Sequence, residues 1–267
     1  MAHISPRMAA LVDVVKQVAR TEVMPRYLKV AHERKCDGSL FTQADIAAQD
    51  FLERELKHIA DCPVLGEEMT EAAQRALWDS TSEGIWCVDP IDGTSNFVSG
   101  IPYFGVSVAF MARGRPLLGV VYDPVADEAF YAEAGQGAWL NGVRLPIKET
   151  APDSLRRAIA EVDLKRLSER LGEALGKRPP YMSQRNFGAS TLDWCYVAAG
   201  RFDVYLHGGQ KLWDYAAGSL ILTEAGGHMC TLELDDFWAA DTWQRSTVAA
   251  LDGALFSEWK SWLRAHQ

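Results

Sequence analysis

The chain has 267 residues, 48% hydrophobic and 24% charged, which is ordinary globular usage with enough length to bury a core without disulfide or metal staples. A mini-protein scaffold and a generally disordered chain are excluded. Twenty-seven basic against 36 acidic side chains leave a formal charge of −9. That sign repels a nucleic-acid backbone, so direct nucleic-acid binding is not expected and any bound phosphate needs a local source of positive charge.

Five cysteines, Cys36, Cys62, Cys87, Cys195 and Cys230, are odd in number and widely spaced, which fits reduced thiols rather than a disulfide framework or a zinc site. The longest apolar stretch, Phe104 to Ala112, is strand-sized, so no membrane span is expected. Arg7, Asp13 and Lys16 interrupt the apolar N-terminus, the wrong pattern for a signal peptide. A cytoplasmic protein is expected.

In chain order, Ser5-Pro6 starts a helix whose stripe is Met8, Leu11, Val12, Val15 and Ala19, and Pro25 kinks or ends it. Thr42-Gln-Ala-Asp45 has capping-box spacing and leads into a helix with Leu52, Leu56 and Ile59 on one face. Between about 85 and 145 the period shifts to that of sheet. Ile85–Val88, Phe104–Met111, Leu117–Tyr122 and Ala129–Glu133 read as strands, and Asn141-Gly142 as a hairpin turn. Helices are expected around Leu155–Leu175 and Leu192–Ala199, a strand at Phe202–His207, and a helix from Asp214 to Ala225 closed by Gly226-Gly227. A strand at Val248–Leu251 and a final helix follow. Lys177-Arg-Pro-Pro180 is the one linker-like stretch, and no repeat interrupts the chain, so it reads as one α/β (α+β) unit with lobes at about 1–150 and 151–267.

The chemistry concentrates in Trp86-Cys-Val-Asp-Pro-Ile-Asp-Gly-Thr-Ser-Asn-Phe97. A strand end followed by a glycine turn is where ligands collect in α/β proteins. Asp89 and Asp92 flank the Ile91 carbonyl, a set of hard oxygen donors suited to Mg²⁺ or Ca²⁺. Glu67 and Glu68 lie upstream and Asp214 downstream. Two like charges about 4 Å apart repel by roughly 4 kcal/mol at an effective dielectric near 20. Divalent cations remove that penalty and provide the positive charge that the composition lacks. Thr94 is placed to orient a water, and amides at Gly93 and Thr94 to face a phosphate oxygen if a helix begins there. Taken singly, each piece has a plain explanation: Asp before Pro or Gly is common in turns, Asp45 and Asp214 suit helix caps, and glutamates are usually solvated.

Taken together, Gly66-Glu67-Glu68, Asp89-Pro-Ile-Asp-Gly-Thr94 with Ser95-Asn96-Phe97, and Trp213-Asp-Tyr-Ala-Ala-Gly218 running into Glu224-Ala-Gly-Gly227 resemble the inositol monophosphatase family of Mg²⁺-dependent, lithium-sensitive phosphatases. The resemblance implies a layered αβαβα sandwich of the inositol monophosphatase and fructose-1,6-bisphosphatase type, commonly a homodimer. It implies two to three Mg²⁺ ions: one held by Glu67, Asp89 and the Ile91 carbonyl, a second by Asp89, Asp92 and Asp214, and a weaker third near Glu67. Glu67 and Thr94 position the attacking water, with Asp45 in support, and no phosphoenzyme forms.

The resemblance also places Asp92, Gly93, Thr94, Gly188, Ala189, Ser190, His207 and Asp214 on the substrate. Ser95-Asn96-Phe97 after the Thr looks like the inositol branch, since the 3′-phosphonucleotide and histidinol-phosphate branches tend to place Lys there. His207 stands seven residues before Asp214, where inositol-gripping members often present Glu, so other sugar phosphates stay open, as do the fructose-1,6-bisphosphatase, 3′-phosphonucleotide and histidinol-phosphate phosphatase activities of the same family. A lone His at a strand end also reads as a solvated surface residue.

Two other classes share parts of this pattern. Haloacid-dehalogenase-type phosphatases place their two aspartates two apart, whereas Asp89 and Asp92 are three apart, which favours metal bridging over an aspartyl nucleophile. A regulatory binding module without turnover is the non-enzymatic reading, although the chain lacks the EF-hand pattern.

Overall fold

Ser5 Oγ accepts the Met8 N–H at 3.1 Å and starts helix α1 (Pro6–Val18), the first element of a computed structural model that describes residues 4–29, 32–34, 40–81, 83–148 and 150–267. A π-helical turn over Ala19–Val23 continues the path, which ends at Met24 beside Pro25. The strands β1 (His32–Arg34) and β2 (Leu40–Thr42) pair antiparallel ahead of α2 (Gln43–Leu56). The expected capping box forms there: Thr42 Oγ1 accepts the Ala44 N–H at 3.0 Å, and Asp45 Oδ2 accepts the Thr42 N–H at 2.8 Å.

Next come β3 (Val64–Gly66), α3 (Glu71–Ser80), β4 (Ile85–Asp92), α4 (Thr94–Ser99), β5 (Gly105–Ala112), β6 (Arg115–Asp123), β7 (Glu128–Glu133), β8 (Ala138–Leu140) and β9 (Val143–Arg144). β3 to β9 join in chain order as a seven-stranded sheet, antiparallel except for β3 beside β4. Asn141-Gly142 turns β8 into β9 with φ of 47° and 84°, the left-handed pair that a tight hairpin requires.

The remainder is β10 (Ile159–Asp163), α5 (Glu169–Lys177), β11 (Ser183–Arg185), α6 (Ser190–Ala198), β12 (Val204–Gln210), α7 (Leu212–Glu224), β13 (His228–Cys230), β14 (Arg245–Ala250) and α8 (Gly253–Ala265). Its five strands lie in the order β11-β10-β12-β14-β13. The helix expected over Leu155–Leu175 does not form: a 3₁₀ turn at Leu155–Arg157, strand β10 and then α5 occupy that stretch. Leu155, Ala160, Val162, Leu171 and Leu175 all enter one core from these three elements, so their spacing imitates a helical stripe. The last helix before Gly226 starts at Leu212, which makes Asp214 its third residue rather than its cap.

Helices α1 and α2 cover one face of the large sheet, packing Leu11, Val15, Leu52 and Leu56 against Trp86, Val88, Val106 and Val108. The other face, with Cys87, Ala109, Met111 and Val121, meets α6 and α7 through Leu192, Ala217 and Leu220. The second sheet lies on the far side of that helix pair through Tyr205 and Ala249. Its outer face packs Val204, Leu206 and Val248 on Leu171, Leu255 and Trp259 of α5 and α8. The layers are therefore αβαβα, as expected. Strands covered on both faces are apolar throughout, which explains the continuous burial of Gly105–Met111. Cys62, Cys87, Cys195 and Cys230 are unbridged thiols, and Cys36 lies outside the described residues. Among the described residues no helix is long and apolar enough to cross a membrane.

Candidate active site

Asp89 and Asp92 would point to opposite faces of a regular strand, because side chains alternate with period two. A bulge prevents this. Asp89 pairs with Ser107 and Asp92 with Gly105, so three steps on β4 match two on β5, and the extra residue falls at Pro90-Ile91. A bulge re-aims the side chains that follow it, and proline suits it because it has no N–H to donate. Both carboxylates then face the N-terminal turn of α7, where Asp214 sits. One oxygen from each of Asp89, Asp92 and Asp214 lies within 4.8 Å of the others.

Each of the three is fixed by nearby backbone. Asp89 Oδ1 accepts the Ile91 N–H at 3.2 Å, and Asp214 Oδ2 accepts the Lys211 N–H at 2.8 Å. Asp92 Oδ2 receives both the backbone N–H and the hydroxyl of Thr191, at 2.7 Å each. Gly93 takes φ of 85°, and a Cβ there would lie 3.0 Å from Ala189 Cβ and 3.2 Å from the Tyr103 carbonyl oxygen, so glycine alone fits the turn. Thr94 Oγ1 donates to the Ile91 carbonyl at 3.0 Å. These residues line a cavity of about 250 Å³ together with Glu67, Gly188, Ser190 and His207. Ala189 stands one layer back, buried against Gly93. Asp45 is buried at the start of α2, where its Oδ2 also accepts the Thr42 hydroxyl at 2.7 Å, and its charge reaches Asp89.

The electrostatics are those of an acidic cluster removed from water. Burial, followed by the charges of Glu67, Asp92, Asp214 and Asp45, holds the Asp89 carboxyl well above the usual carboxylate range. Burial raises Asp214 as well, with Asp92 the next cause and the Lys211 N–H opposing. Asp92 is pushed up to about 6 by burial against the pull of the Thr191 and Ser190 donors. Three desolvated, mutually repelling carboxylates with converging oxygens form a donor set that fits a hard divalent cation.

His207 is not the solvated surface residue that a strand-end histidine suggests. It is 7% exposed. Its Nδ1 accepts the Gly209 N–H at 3.1 Å, and Nε2 lies 3.5 Å from Asp163 Oδ2. Burial lowers its pKa to about 4, and a neutral ring that accepts at Nδ1 carries its hydrogen on Nε2, toward Asp163.

Several residues here act through partners that the sequence does not show. Asn96 Nδ2 donates to the carbonyls of Tyr103 at 2.7 Å and Phe187 at 2.6 Å, tying α4 to the loop before α6. Asp193 accepts the Tyr103 hydroxyl at 2.9 Å beneath the cavity. Asp163, the last residue of β10, and Lys165 and Arg166 on the loop after it complete the rim. Recognising β10 as a strand is the step that would have exposed them.

The fold and this site define a phosphatase of the layered αβαβα class. The profile of the inositol monophosphatase family matches residues 4–262, and the chain belongs to that family. It is 38% identical over 209 residues to inositol monophosphatase 1 of Solanum lycopersicum, covering 74% of this chain and 73% of the relative. It is 36% identical over 200 residues to the Nus factor SuhB of Pasteurella multocida, covering 73% of each. Among solved structures, an IMPase from Thermotoga maritima superposes with a TM-score of 0.82 at 27% identity over 97% of both chains.

Proposed function

We propose that the chain is a Mg²⁺-dependent phosphoric monoester hydrolase acting on a small polyol or sugar phosphate, with inositol 1-phosphate the first substrate to assay. The observation that carries this reading is the convergence of Asp89, Asp92 and Asp214 oxygens within 4.8 Å at the floor of a cavity. Glu67, Asp89 and the Ile91 carbonyl would hold one Mg²⁺, Asp89, Asp92 and Asp214 a second, and Glu67 a weaker third. Bound there, the ions would supply the charge that draws in a phosphate and the polarisation that makes water nucleophilic at neutral pH. The Glu67 carboxylate takes the proton from the attacking water, and the Thr94 hydroxyl fixes the direction of attack. Asp45 holds the Thr42 end of α2 in place behind Asp89. Gly93 allows the turn to approach the phosphate closely, while Gly188, Ala189, Ser190 and His207 shape the side that meets the alcohol.

The same reading includes inhibition by lithium, a homodimer, a cytoplasmic location and one folding unit from end to end. The test is phosphate release from inositol 1-phosphate with Mg²⁺, and its loss with chelator and in Asp89→Asn. Absence of turnover on every phosphate ester tried would sink it. The Pasteurella relative's name supports a second reading, a role as a partner of other macromolecules. Co-purification that survives Asp89→Asn would support that role, and it is compatible with turnover.

A further inference from the structure

A second cavity, of about 340 Å³, opens at the start of β4, the opposite end of that strand from Asp89 and Asp92. It shares no lining residue with the acidic cavity. Its wall comes from the end of α3, the turn between β5 and β6, the first residue of α7 and the segment that leads into β14. Arg113, Arg115 and Arg245 line it, and among the described residues no Asp or Glu does. In a chain of net charge −9, that is a local reversal of sign.

The fold places all three cations. Ala112 pairs with Arg115, so Arg113 and Gly114 form a two-residue hairpin turn with φ of 50° and 71°, which fixes where both exposed arginines emerge. Arg245 begins β14 and is 4% exposed. Its guanidinium donates to the carbonyls of Phe237 at 2.7 Å, Asp241 at 3.0 Å and Ala240 at 3.1 Å, which uses three of its five N–H groups. Among the described residues none of the three arginines has a carboxylate within ion-pair distance. Burial lowers the pKa of Arg245 and the charge of Arg115 lowers it further, against Tyr215, Asp241 and Asp236. Those two carboxylates are turned to backbone instead: Asp236 accepts the Trp238 N–H at 2.9 Å, and Asp241 the Trp243 N–H at 2.7 Å.

Trp238, half-buried in a 3₁₀ turn over Phe237–Ala239, carries two of these charges, with Arg115 at 4.8 Å and Arg245 at 5.2 Å from its ring centroid. Trp78, near the end of α3, adds a second half-buried ring to the wall. Two guanidinium groups sharing one ring repel each other. An anion bound between them removes that repulsion, and guanidinium forks hold phosphate or carboxylate through paired N–H groups. The tryptophans suit a flat ring on the same molecule.

We infer that this cavity binds a small anion bearing a flat ring, its phosphate or carboxylate held by Arg113, Arg115 and Arg245 and its ring set against Trp78 and Trp238. About 340 Å³ is at the small end of ligand pockets, which suits one nucleoside monophosphate or one aromatic carboxylic acid.

The experiment is titration calorimetry in chelator, where the metal-free acidic cavity repels anions. The probes are uridine 5′-monophosphate, indole-3-acetate, uridine and ribose 5-phosphate. The first two join a ring to a phosphate or to a carboxylate, so the tighter of them identifies the anion. Uridine lacks the anion and ribose 5-phosphate the ring, and each should bind at least about tenfold more weakly than the favoured probe. Kd for the favoured probe should rise about tenfold to a hundredfold in Arg115→Ala and in Arg113→Gly, which keeps the left-handed turn, with partial recovery in Arg115→Lys. Both arginines are exposed, so these variants keep the fold. Lys165→Ala, at the rim of the acidic cavity, should leave Kd unchanged. Binding of neither ring-bearing anion at millimolar concentration would overturn the inference. So would uridine or ribose 5-phosphate binding as tightly as the favoured probe, an unchanged Kd in the Arg113 and Arg115 variants, or a loss confined to Lys165→Ala.

Discussion

Thr191 grips Asp92 with two donors, its backbone N–H and its hydroxyl, both 2.7 Å from Oδ2. The contact joins residues 99 positions apart, bringing the first turn of α6 onto the end of β4. One oxygen of the carboxylate held in this way lies within 4.8 Å of oxygens of Asp89 and Asp214. Thr191→Val keeps the shape and the N–H but removes the hydroxyl. Mg²⁺ affinity, measured by activity against metal concentration, should fall about threefold to tenfold, and stability by about 1 kcal/mol in urea unfolding. Thr191→Ser should recover most of both.

Asp214→Asn separates metal binding from folding. The Asn carbonyl can still accept the Lys211 N–H that Asp214 Oδ2 holds at 2.8 Å, so α7 keeps its start. What disappears is one charge from a buried group already raised by its acidic neighbours. The metal-free variant should melt at or above the unsubstituted chain, because self-repulsion has been relieved. Saturating Mg²⁺ stabilises a binding protein by about 2.7 kcal/mol at a hundred times Kd, and calorimetry should find most of that increment missing in Asp214→Asn. Turnover should drop by about a thousandfold or more. A full Mg²⁺ increment in the variant would place the metal elsewhere.

Features carried by contiguous residues were legible in the sequence. The Ser5 and Thr42 caps, the Asn141-Gly142 hairpin and the Asp89 to Thr94 turn each depend on neighbours within a few positions. The bulge at Pro90-Ile91 was not legible, although the three-residue spacing of the aspartates already required something of that kind to bring them to one face. Partners supplied across the fold were hidden as well: Thr191 for Asp92, Asp193 for Tyr103, and Asp163 for His207. The β10 region misled for a different reason. Its apolar residues share one core with those of the 3₁₀ turn and α5, and periodicity alone cannot divide such a run. Glu224, part of the block that carries the family resemblance, is a structural anchor here, since its carboxylate accepts the N–H groups of Gly135 at 2.7 Å and Gly137 at 2.8 Å.

Glu161 makes stability depend on pH. It lies on β10 with 0% exposure, and neither carboxylate oxygen has a partner at hydrogen-bond geometry. Burial pushes its pKa up to about 8, with Asp163 adding to the rise and the Phe187 N–H and Arg185 opposing it. Asp193 and Tyr103 face the same pocket of buried acid. A carboxyl raised in the fold stays protonated there while the unfolded chain has already lost its proton. Its contribution is therefore fully present below the ordinary Glu value and is lost as pH rises toward about 8, at up to about 1.4 kcal/mol per pH unit. Glu161→Gln removes that slope. Urea midpoints across this range should converge at the acid end and separate toward pH 8, with the Gln variant the more stable. Parallel curves would count against a protonated Glu161.

Gly218 tests how tightly the central helix layer is set. It lies on α7, four residues after Asp214, and a Cβ there would come within 2.4 Å of Trp194 Cβ and 2.6 Å of Trp194 Cγ on α6. Trp194 cannot yield easily: it is fully buried between Tyr205 and Phe237, and its Nε1 donates to Gln210 Oε1 at 3.2 Å. Gly218→Ala would normally favour a helix by about 1 kcal/mol. Here overpacking should outweigh that gain and destabilise the chain by about 1 to 3 kcal/mol in chemical unfolding. Forcing α7 from α6 also moves Asp214 relative to Asp92, which Thr191 ties to α6, so the Mg²⁺ concentration at half-maximal activity should rise in the same variant. A stabilised variant with unchanged metal dependence would mean that the two helices have room to separate.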